Sequence, residues 1–171
     1  GETLELLNGS TVTLDGTVGV IADAVKPESL AGIMGGASTA VSDATRNVYI
    51  EAAFWWPEAV AGRSRRYAFS TDAGHRFERG VDPSTTVQHI ERITRLVVEI
   101  CGTPETRVGP MDDQVTGLPE RKPVRLRPER AAKVIGMPLD AATCLDALDR
   151  LGLAPRAVAG GAIEVVPPPW R

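Results

Sequence analysis

The sequence predicts an α+β or α/β protein, in which a layered sheet-and-helix domain is followed by a small α+β domain of winged-helix-like outline. Turn signals separate short apolar runs near the start of the chain, which is typical of β-strands. An apolar repeat of helical period follows at 83–101. The net charge of −3 divides into −6 before Glu120 and +3 from there onward, and this change of sign indicates two units.

The first strands are predicted from apolar runs and turn residues. The stretch ELLNGSTVTLDGTVGVIADA contains Asn-Gly at 8–9 and Asp-Gly at 15–16, which are strong hairpin signals. The apolar run VGVIADA predicts a strand buried on both faces, and KPES predicts a turn into LAGIMGG. The stretch NVYIEAAF predicts another strand at 47–54, where Glu51 is the one carboxylate among apolar residues.

Two helices are predicted after these strands. Pro57 suits the first turn of a helix that runs to about Tyr67. Asp82 and Pro83 suit the N-cap and the first position of a longer helix, whose apolar residues recur at helical spacing until Gly102 ends it. We expect this longer helix to pack on the sheet.

The remaining sequence predicts a linker and a second, smaller unit. Residues 103–120 carry proline, glycine and acidic residues without periodicity, which is typical of a linker or a long surface loop. After it, PVRLR predicts a strand, 128–134 a short helix, and Asp140 the N-cap of a second helix that Gly152 ends. LAPRAV, AGG and AIEVV predict a hairpin, which completes the winged-helix-like outline.

Length and composition exclude several classes of protein. The chain has 171 residues, 43% of them hydrophobic, which fits one large domain or two small ones with packed cores. No run approaches the roughly 20 apolar residues of a membrane span. The opening GETLELLNGS has no initiator methionine and no signal-peptide pattern, which suggests an excised fragment. Neither part is basic enough to indicate nucleic-acid binding from charge alone.

The two cysteines, Cys101 and Cys144, lie in helical patterns and lack metal-ligand spacing. We expect two buried thiols in a reducing compartment rather than a disulfide. No metal site is predicted in this chain.

The stretch AGIMGG, at 31–36, has three glycines within five residues, and such a density of glycine indicates that the backbone approaches something closely. A phosphate-binding loop is one interpretation, but the stretch lacks the lysine and the spacing of such loops. Close packing of backbone on backbone is a second interpretation. A pocket wall made of bare backbone is the third.

Glu51 also has more than one interpretation, because carboxylates are rarely buried without a partner. One interpretation is a salt bridge to an arginine such as Arg46, Arg65 or Arg76. The other is a hydrogen-bond acceptor or base in a cavity.

Arginines concentrate in RSRR, at 63–66, and around HRFERG, at 75–80. The first cluster is compatible with RNA phosphate binding by Arg63, Arg65 and Arg66, or with surface ion pairs. In the second cluster, Glu78 is an obvious local partner for such a pair. The two histidines, at 75 and 89, complete no Ser-His-Asp set and no metal cluster by their spacing.

AGIMGG, IEAAF, RSRRYAFSTDAGHRFERGVDP and EICG together resemble, in order and spacing, the editing domain of the beta subunit of bacterial phenylalanyl-tRNA synthetases. VIGMPLD, LDRLGL and VVPPPWR resemble the next domain of that subunit, so the resemblance covers nearly the whole chain. It implies the C-terminal part of an editing domain at 1–108, a linker at 109–119, and a small winged-helix-like domain, truncated at its C-terminus, at 120–171.

The resemblance implies a site that hydrolyses tyrosine wrongly attached to tRNA(Phe), because a phenylalanine pocket rejects an added hydroxyl only weakly. Side chains on Gly32 or Gly35 would fill the flat slot for the tyrosine ring, and Ala73 is another small pocket residue. Glu51 takes the place of the family's pocket glutamate, which accepts the phenolic hydrogen bond. The family hydrolyses the ester with a positioned water, and no catalytic residue is assigned.

The resemblance also implies the partners of the parent enzyme: ATP and Mg²⁺ as cofactors, with none bound by this fragment, and tRNA(Phe) with its tyrosyl ester. An alpha subunit completes a cytoplasmic heterotetramer of two alpha and two beta chains, with no membrane contact. The sequence differs from the family's pattern in two respects. Part of the family's pocket comes from a segment upstream of Gly1, and Gly74 occupies a position where the family usually has serine. A non-catalytic RNA- or DNA-binding module is the alternative function.

Overall fold

The computed structural model describes residues 1–170 and divides the chain into two compact units, Gly1–Asp113 and Gln114–Arg171. The first unit begins with a β-hairpin of β1 (Thr3–Glu5) and β2 (Thr11–Thr13), which pair antiparallel. Its turn is fixed by Gly9, which has a φ of +80°, and by the Asn8 side chain, which accepts a hydrogen bond from the Ser10 amide at 3.0 Å. The hairpin predicted at 8–9 is confirmed.

The second sheet of this unit contains β3 (Val20–Ala22), β4 (Pro27–Leu30) and β5 (Met34–Gly35), all antiparallel in that order. The turn at 15–16 therefore joins strands of two different sheets and closes no hairpin. VGVIADA gives only the short, half-buried β3, so the strand expected to be buried on both faces is wrong. KPES was also wrong as a turn, because the Asp23 carboxylate accepts hydrogen bonds from the amides of Val25 and Lys26 and turns the chain before β4 begins.

The core of the first unit lies where the hairpin meets the second sheet. An isolated bridge between Leu6 and Gly36 joins the two, and the Leu7 amide donates to the Gly35 carbonyl at 3.0 Å. The buried apolar residues that pack together there are Leu4, Leu6, Val12, Leu14, Leu30, Ile33 and Val60. Half-buried aromatic residues, among them Trp55 and Phe77, pack against this cluster.

The strand predicted at 47–54 is absent, and these residues run as irregular backbone. Tyr49 is 93% exposed and Val48 is 52% exposed. The stretch has β-propensity, but a strand also needs a partner for its backbone groups. No strand pairs with it in the described part of the chain.

Four helices follow in the first unit, and Pro57 opens the first of them as predicted. The predicted helix from Pro57 to Tyr67 is divided, because Gly62 adopts a left-handed φ of +76°. The helices are α1 (Pro57–Val60), α2 (Arg63–Arg66), α3 (Asp72–Phe77) and α4 (Thr86–Cys101).

The longest helix, α4, ends where the sequence predicts, but it begins three residues later, at Thr86. The Asp82 carboxylate accepts from the Ser84 amide at 2.9 Å and caps a short 3-10 turn that leads into the helix, and Gly102 ends it. The expected packing on the sheet is wrong, because α4 contains no buried residue and Ile100 is 75% exposed.

The second unit has the predicted element order. It consists of β6 (Val124–Leu126), α5 (Pro128–Ile135), α6 (Ala141–Arg150), β7 (Arg156–Ala157) and β8 (Ile163–Val165). The three strands form an antiparallel sheet in the order β6-β8-β7, and Ile163 is its most buried residue at 1% exposure. Arg125 and Arg156, on the two outer strands, both pair with the Glu164 carboxylate at 3.2 Å.

The chain is therefore an α+β protein with small antiparallel sheets. The cysteines are free, as expected, but Cys101 is exposed and only Cys144 is buried, so the expectation of two buried thiols is wrong for Cys101. None of the helices within residues 1–170 combines the length and apolar character that crossing a membrane requires.

Replacement of Gly36 by alanine should lower the free energy of unfolding by about 1–3 kcal/mol. The added methyl group would lie 2.5 Å from the Glu28 carbonyl oxygen, so the backbone of β4 would have to shift. Urea unfolding of the 171-residue chain, followed by circular dichroism, measures the change.

The Gly16→Ala variant is the matched control, because a methyl group there meets no atom within 4 Å and needs no positive φ. Its free energy of unfolding should change by less than about 0.5 kcal/mol. Equal losses in the two variants would contradict the close approach at Gly36.

Candidate functional site

The glycine stretch at 31–36 lies against other parts of the first unit, and Gly32 meets aromatic rings. Gly32 has a φ of +65°, which favours glycine. A methyl group at Gly32 would lie 3.0 Å from Trp55 Cδ1 and 3.2 Å from the ring of Phe77. The bare backbone of Gly32 therefore makes room for two aromatic side chains of the chain itself.

The other two glycines of this stretch pack against the sheet and the hairpin. A methyl group at Gly35 would lie 3.2 Å from Leu7 Cδ1, and one at Gly36 would lie 2.5 Å from the Glu28 carbonyl oxygen. The Gly36 amide donates to that same carbonyl at 2.8 Å. Close packing of backbone on backbone is thus confirmed at Gly36.

Thr71 connects the glycine stretch to α3, the helix that carries Ala73. Its hydroxyl donates to the Ile33 carbonyl at 2.8 Å and accepts from the Gly74 amide at 3.0 Å, which caps the helix. The structure thereby brings Ala73, which is half-buried, onto an element that is fixed to the glycine stretch. Thr71 was not predicted from the sequence, although threonine three residues before a helical amide is a recognisable capping signal.

Glu51 lies in the irregular segment that the sequence predicted as a strand. The residue is exposed, and its carboxylate makes no hydrogen bond and no ion pair within residues 1–170. The surrounding protein still removes part of its water, and this burial raises the pKa of the Glu51 carboxyl. An exposed carboxylate without a counter-ion is chemically available to accept a hydrogen bond from a ligand.

The predicted salt bridge of Glu51 does not form within the described residues, because two of its candidate partners have other contacts. Arg46 donates to the carbonyls of Asp43 and Thr45, and Arg76 lies 3.8 Å from the Asp72 carboxylate. The salt-bridge interpretation of Glu51 is therefore wrong for the described part of the chain.

Two of the three arginines predicted to bind RNA hold a loop of the same unit. Arg66 pairs with the Asp15 carboxylate at 2.5 Å and donates to the Thr17 hydroxyl at 3.0 Å. Arg63 donates to the Thr17 carbonyl at 2.8 Å. Arg65 is exposed and has no such contact in the residues that the structure describes. The prediction of surface ion pairs is thus confirmed for Arg66.

A shallow groove of about 390 Å³ lies beside α3. Its lining residues are Ser64, Arg65, Ala68, Phe69, Ser70, Thr71, Gly74, His75 and Glu78. Within it, Glu78 accepts from Arg79 at 2.6 Å, which confirms Glu78 as a local ion-pair partner. The same guanidinium lies 3.0 Å from His75 Nδ1.

No three metal-ligating side chains lie together anywhere in residues 1–170. The contacts described above bring together the glycine stretch at 31–36, the aromatic pair of Trp55 and Phe77, and α3. Glu51 forms no hydrogen bond with any of them.

The chain matches both a domain family and a set of longer proteins. Residues 1–102 match the family model described as B3/4 domain. Over an alignment of 171 residues, the chain is 57% identical to the phenylalanine–tRNA ligase beta subunit of Ralstonia nicotianae. Over the same length it is 56% identical to that of Burkholderia pseudomallei and 53% identical to that of Bordetella pertussis. The chain covers 21% of the length of each of these relatives. The resemblance found in the sequence motifs is confirmed.

Asp15→Asn should reduce the loss of stability in acid. The hydrogen bond from Arg66, with those from Thr17, holds the pKa of the Asp15 carboxyl well below its usual value of 3.8. The ionised carboxylate therefore stabilises the folded chain above pH 3.8, and this contribution is lost as the pH falls below that value. Thermal midpoints of the 171-residue chain, measured from about pH 6 to about pH 2.5, should fall less steeply in the variant.

The control is Asp72→Asn, because the Asp72–Arg76 pair is longer, at 3.8 Å, and both side chains are exposed. Its stability near neutral pH should stay within about 0.5 kcal/mol of the wild type. An Asp15→Asn variant with the same acid slope as the wild type would contradict the role assigned to Asp15.

Proposed function

The chain belongs to the B3/4 domain family, and on this basis we propose that it contributes to the editing site of a phenylalanyl-tRNA synthetase, where mischarged Tyr-tRNA(Phe) is hydrolysed. The observation that carries this proposal is the similarity of all 171 residues to phenylalanine–tRNA ligase beta subunits. Because the chain spans about a fifth of the length of those relatives, the activity, substrates and partners of the whole protein are part of the proposal.

The physical need for such a site comes from the small difference between the two amino acids. A pocket that fits phenylalanine excludes tyrosine only through one added hydroxyl, and hydrophobic pockets discriminate weakly against such an isostere. A second site that requires the hydroxyl discriminates well, because a ligand without it leaves a buried polar group unpaired.

Glu51 is the residue that we propose to read the hydroxyl. Its carboxylate is exposed and has no internal partner within residues 1–170, so both of its oxygens are available to accept a hydrogen bond from a ligand. Gly32, Gly35 and Ala73 are proposed to line the pocket, and the ester is proposed to be hydrolysed by a positioned water rather than by a covalent nucleophile.

The aromatic rings at Gly32 refine this proposal. In the described structure, Trp55 and Phe77 already cover the space beside Gly32. We therefore propose that these two side chains fix the position of the pocket wall that the Gly32 backbone forms.

The remaining properties of the whole protein are proposed from its relatives. They include ATP and Mg²⁺ as cofactors bound outside this chain, tRNA(Phe) as a substrate, an alpha subunit as a partner in a heterotetramer, and a cytoplasmic location. The second unit is proposed to be a winged-helix-like scaffold, within the domain limits predicted above. Arg65 remains a proposed contact for RNA, whereas the internal contacts of Arg63 and Arg66 weaken that role for them.

Glu51→Ala should make the pocket indifferent to the tyrosine hydroxyl. Loss of a hydrogen bond to a charged group is worth roughly 1.5–3 kcal/mol, which is about a ten- to hundredfold change in rate. In the full-length protein, hydrolysis of Tyr-tRNA(Phe) should fall by a factor in that range, while charging with phenylalanine stays near the wild-type rate. The two rates and the thermal midpoint are measured on one preparation.

A stable variant that charges phenylalanine normally and still hydrolyses Tyr-tRNA(Phe) at the wild-type rate would contradict the proposal. Wild-type protein that binds tRNA but never hydrolyses the mischarged ester would instead favour a non-catalytic RNA-binding module.

A further inference from the structure

The segment that carries Glu51 has an unusual attachment to the rest of the first unit. Residues 47–55 belong to no helix or strand, and they make no hydrogen bond within residues 1–170. No hydrogen bond therefore fixes their position, and the side chain of this segment that packs against the buried apolar cluster anchors the stretch that carries Glu51.

Trp55 is that anchor. Its indole spans two glycines, because a methyl group at Gly32 would lie 3.0 Å from Cδ1 and one at Gly19 would lie 3.9 Å from Cζ3. The five-membered ring thus lies over the glycine stretch, and the six-membered ring extends toward the start of β3. Trp55 also packs against the buried apolar cluster of the unit.

The indole occupies space that is open only because Gly19 and Gly32 have no side chains. We call this space the seat of the indole. At Gly32 even a methyl group would come to 3.0 Å of the ring, and the left-handed φ of +65° would strain any other residue. Phe77, on α3, closes the seat at 3.2 Å from the same position. The ring therefore has one well-defined place between the glycine stretch and α3.

We propose that Trp55 is the positioning residue of the site: its indole, seated on Gly19 and Gly32, holds the segment that carries Glu51 in register with the glycine stretch. This inference rests on the proposed function. It assigns to Trp55 no contact with the reacting ester, and it makes the placement of the Glu51 carboxylate depend on a ring four residues away.

The consequence for catalysis is geometric. A carboxylate reads a phenolic hydroxyl only within hydrogen-bond distance, so a small displacement of the segment loses the contact. A misplacement of about 1 Å can cost on the order of a hundredfold in rate. Removal of the Trp55 ring should therefore lower the rate constant of tyrosyl ester hydrolysis more than it changes the affinity for the tRNA.

The test is a double-mutant cycle in the full-length protein that contains this chain. Trp55→Ala, Glu51→Ala and the combined variant are compared for hydrolysis of Tyr-tRNA(Phe), with phenylalanine charging and the thermal midpoint measured beside them. Trp55→Ala should reduce kcat of hydrolysis by roughly tenfold or more, with a smaller change in KM. In the Glu51→Ala background it should reduce hydrolysis no further, because two residues that act through one contact are not additive.

Two further variants keep the test decisive if Trp55→Ala folds poorly. Trp55→Leu keeps apolar bulk without the ring and should show the same loss, whereas Trp55→Phe keeps a ring beside Gly32 and should restore most of the rate. Tyr49→Leu is the matched control, because this aromatic residue belongs to the same segment and its side chain is 93% exposed. It should hydrolyse Tyr-tRNA(Phe) at nearly the wild-type rate.

The outcomes separate this inference from the proposed function. If Glu51→Ala impairs hydrolysis while Trp55→Leu retains the wild-type rate, or if the two losses add in the combined variant, the positioning role is overturned and the editing role stands. If Glu51→Ala hydrolyses at the wild-type rate, the editing role of Glu51 is overturned, and the positioning role with it.

Discussion

The backbone of residues 31–36 is the part of the first unit on which its other elements depend, because four separate parts of the chain contact it. The hairpin reaches it through the bridge at Leu6, and β4 through the Glu28 carbonyl. Helix α3 is fixed to it by the Thr71 hydroxyl, and the aromatic pair covers Gly32. A side chain at Gly32 or Gly36 would push one of these contacts away. The composition of the stretch thus follows from how many neighbours it must hold at backbone distance.

Features that depend on a few adjacent residues could be predicted from the sequence. The Asp82 and Asp140 caps, the end of α4 at Gly102 and the Asn-Gly hairpin all arise from local hydrogen bonding and backbone freedom. Features that depend on distant partners could not. The stretch at 47–54 has the composition of a strand but lacks a neighbour to pair with, and the apolar positions of α4 did not determine whether another element covers them.

The residues of the candidate site show the same difference between local signals and distant contacts. Gly32, Gly35, Glu51 and Ala73 are proposed because their motifs resemble a family, and the spacing of residues alone would not have identified them. Thr71 and Trp55 were missed, since their importance lies in contacts with residues 33 and 32, far from them in sequence. The sequence also offered arginine partners for Glu51. The structure commits Arg46 and Arg76 elsewhere, and this leaves the carboxylate without an internal counter-ion in the described residues.

The arginine pair of the second unit has a consequence for the behaviour of the protein in concentrated solution. Strands β6 and β7 are the two margins of a three-stranded sheet, and each presents an exposed arginine, Arg125 and Arg156, around the single Glu164 carboxylate. Charged side chains on edge strands disfavour the addition of a strand from another chain. Two guanidinium groups that share the one Glu164 carboxylate leave a net positive charge on this face of the sheet. A copy of the same sheet would meet like charge there, and this disfavours pairing of β6 or β7 with an identical chain.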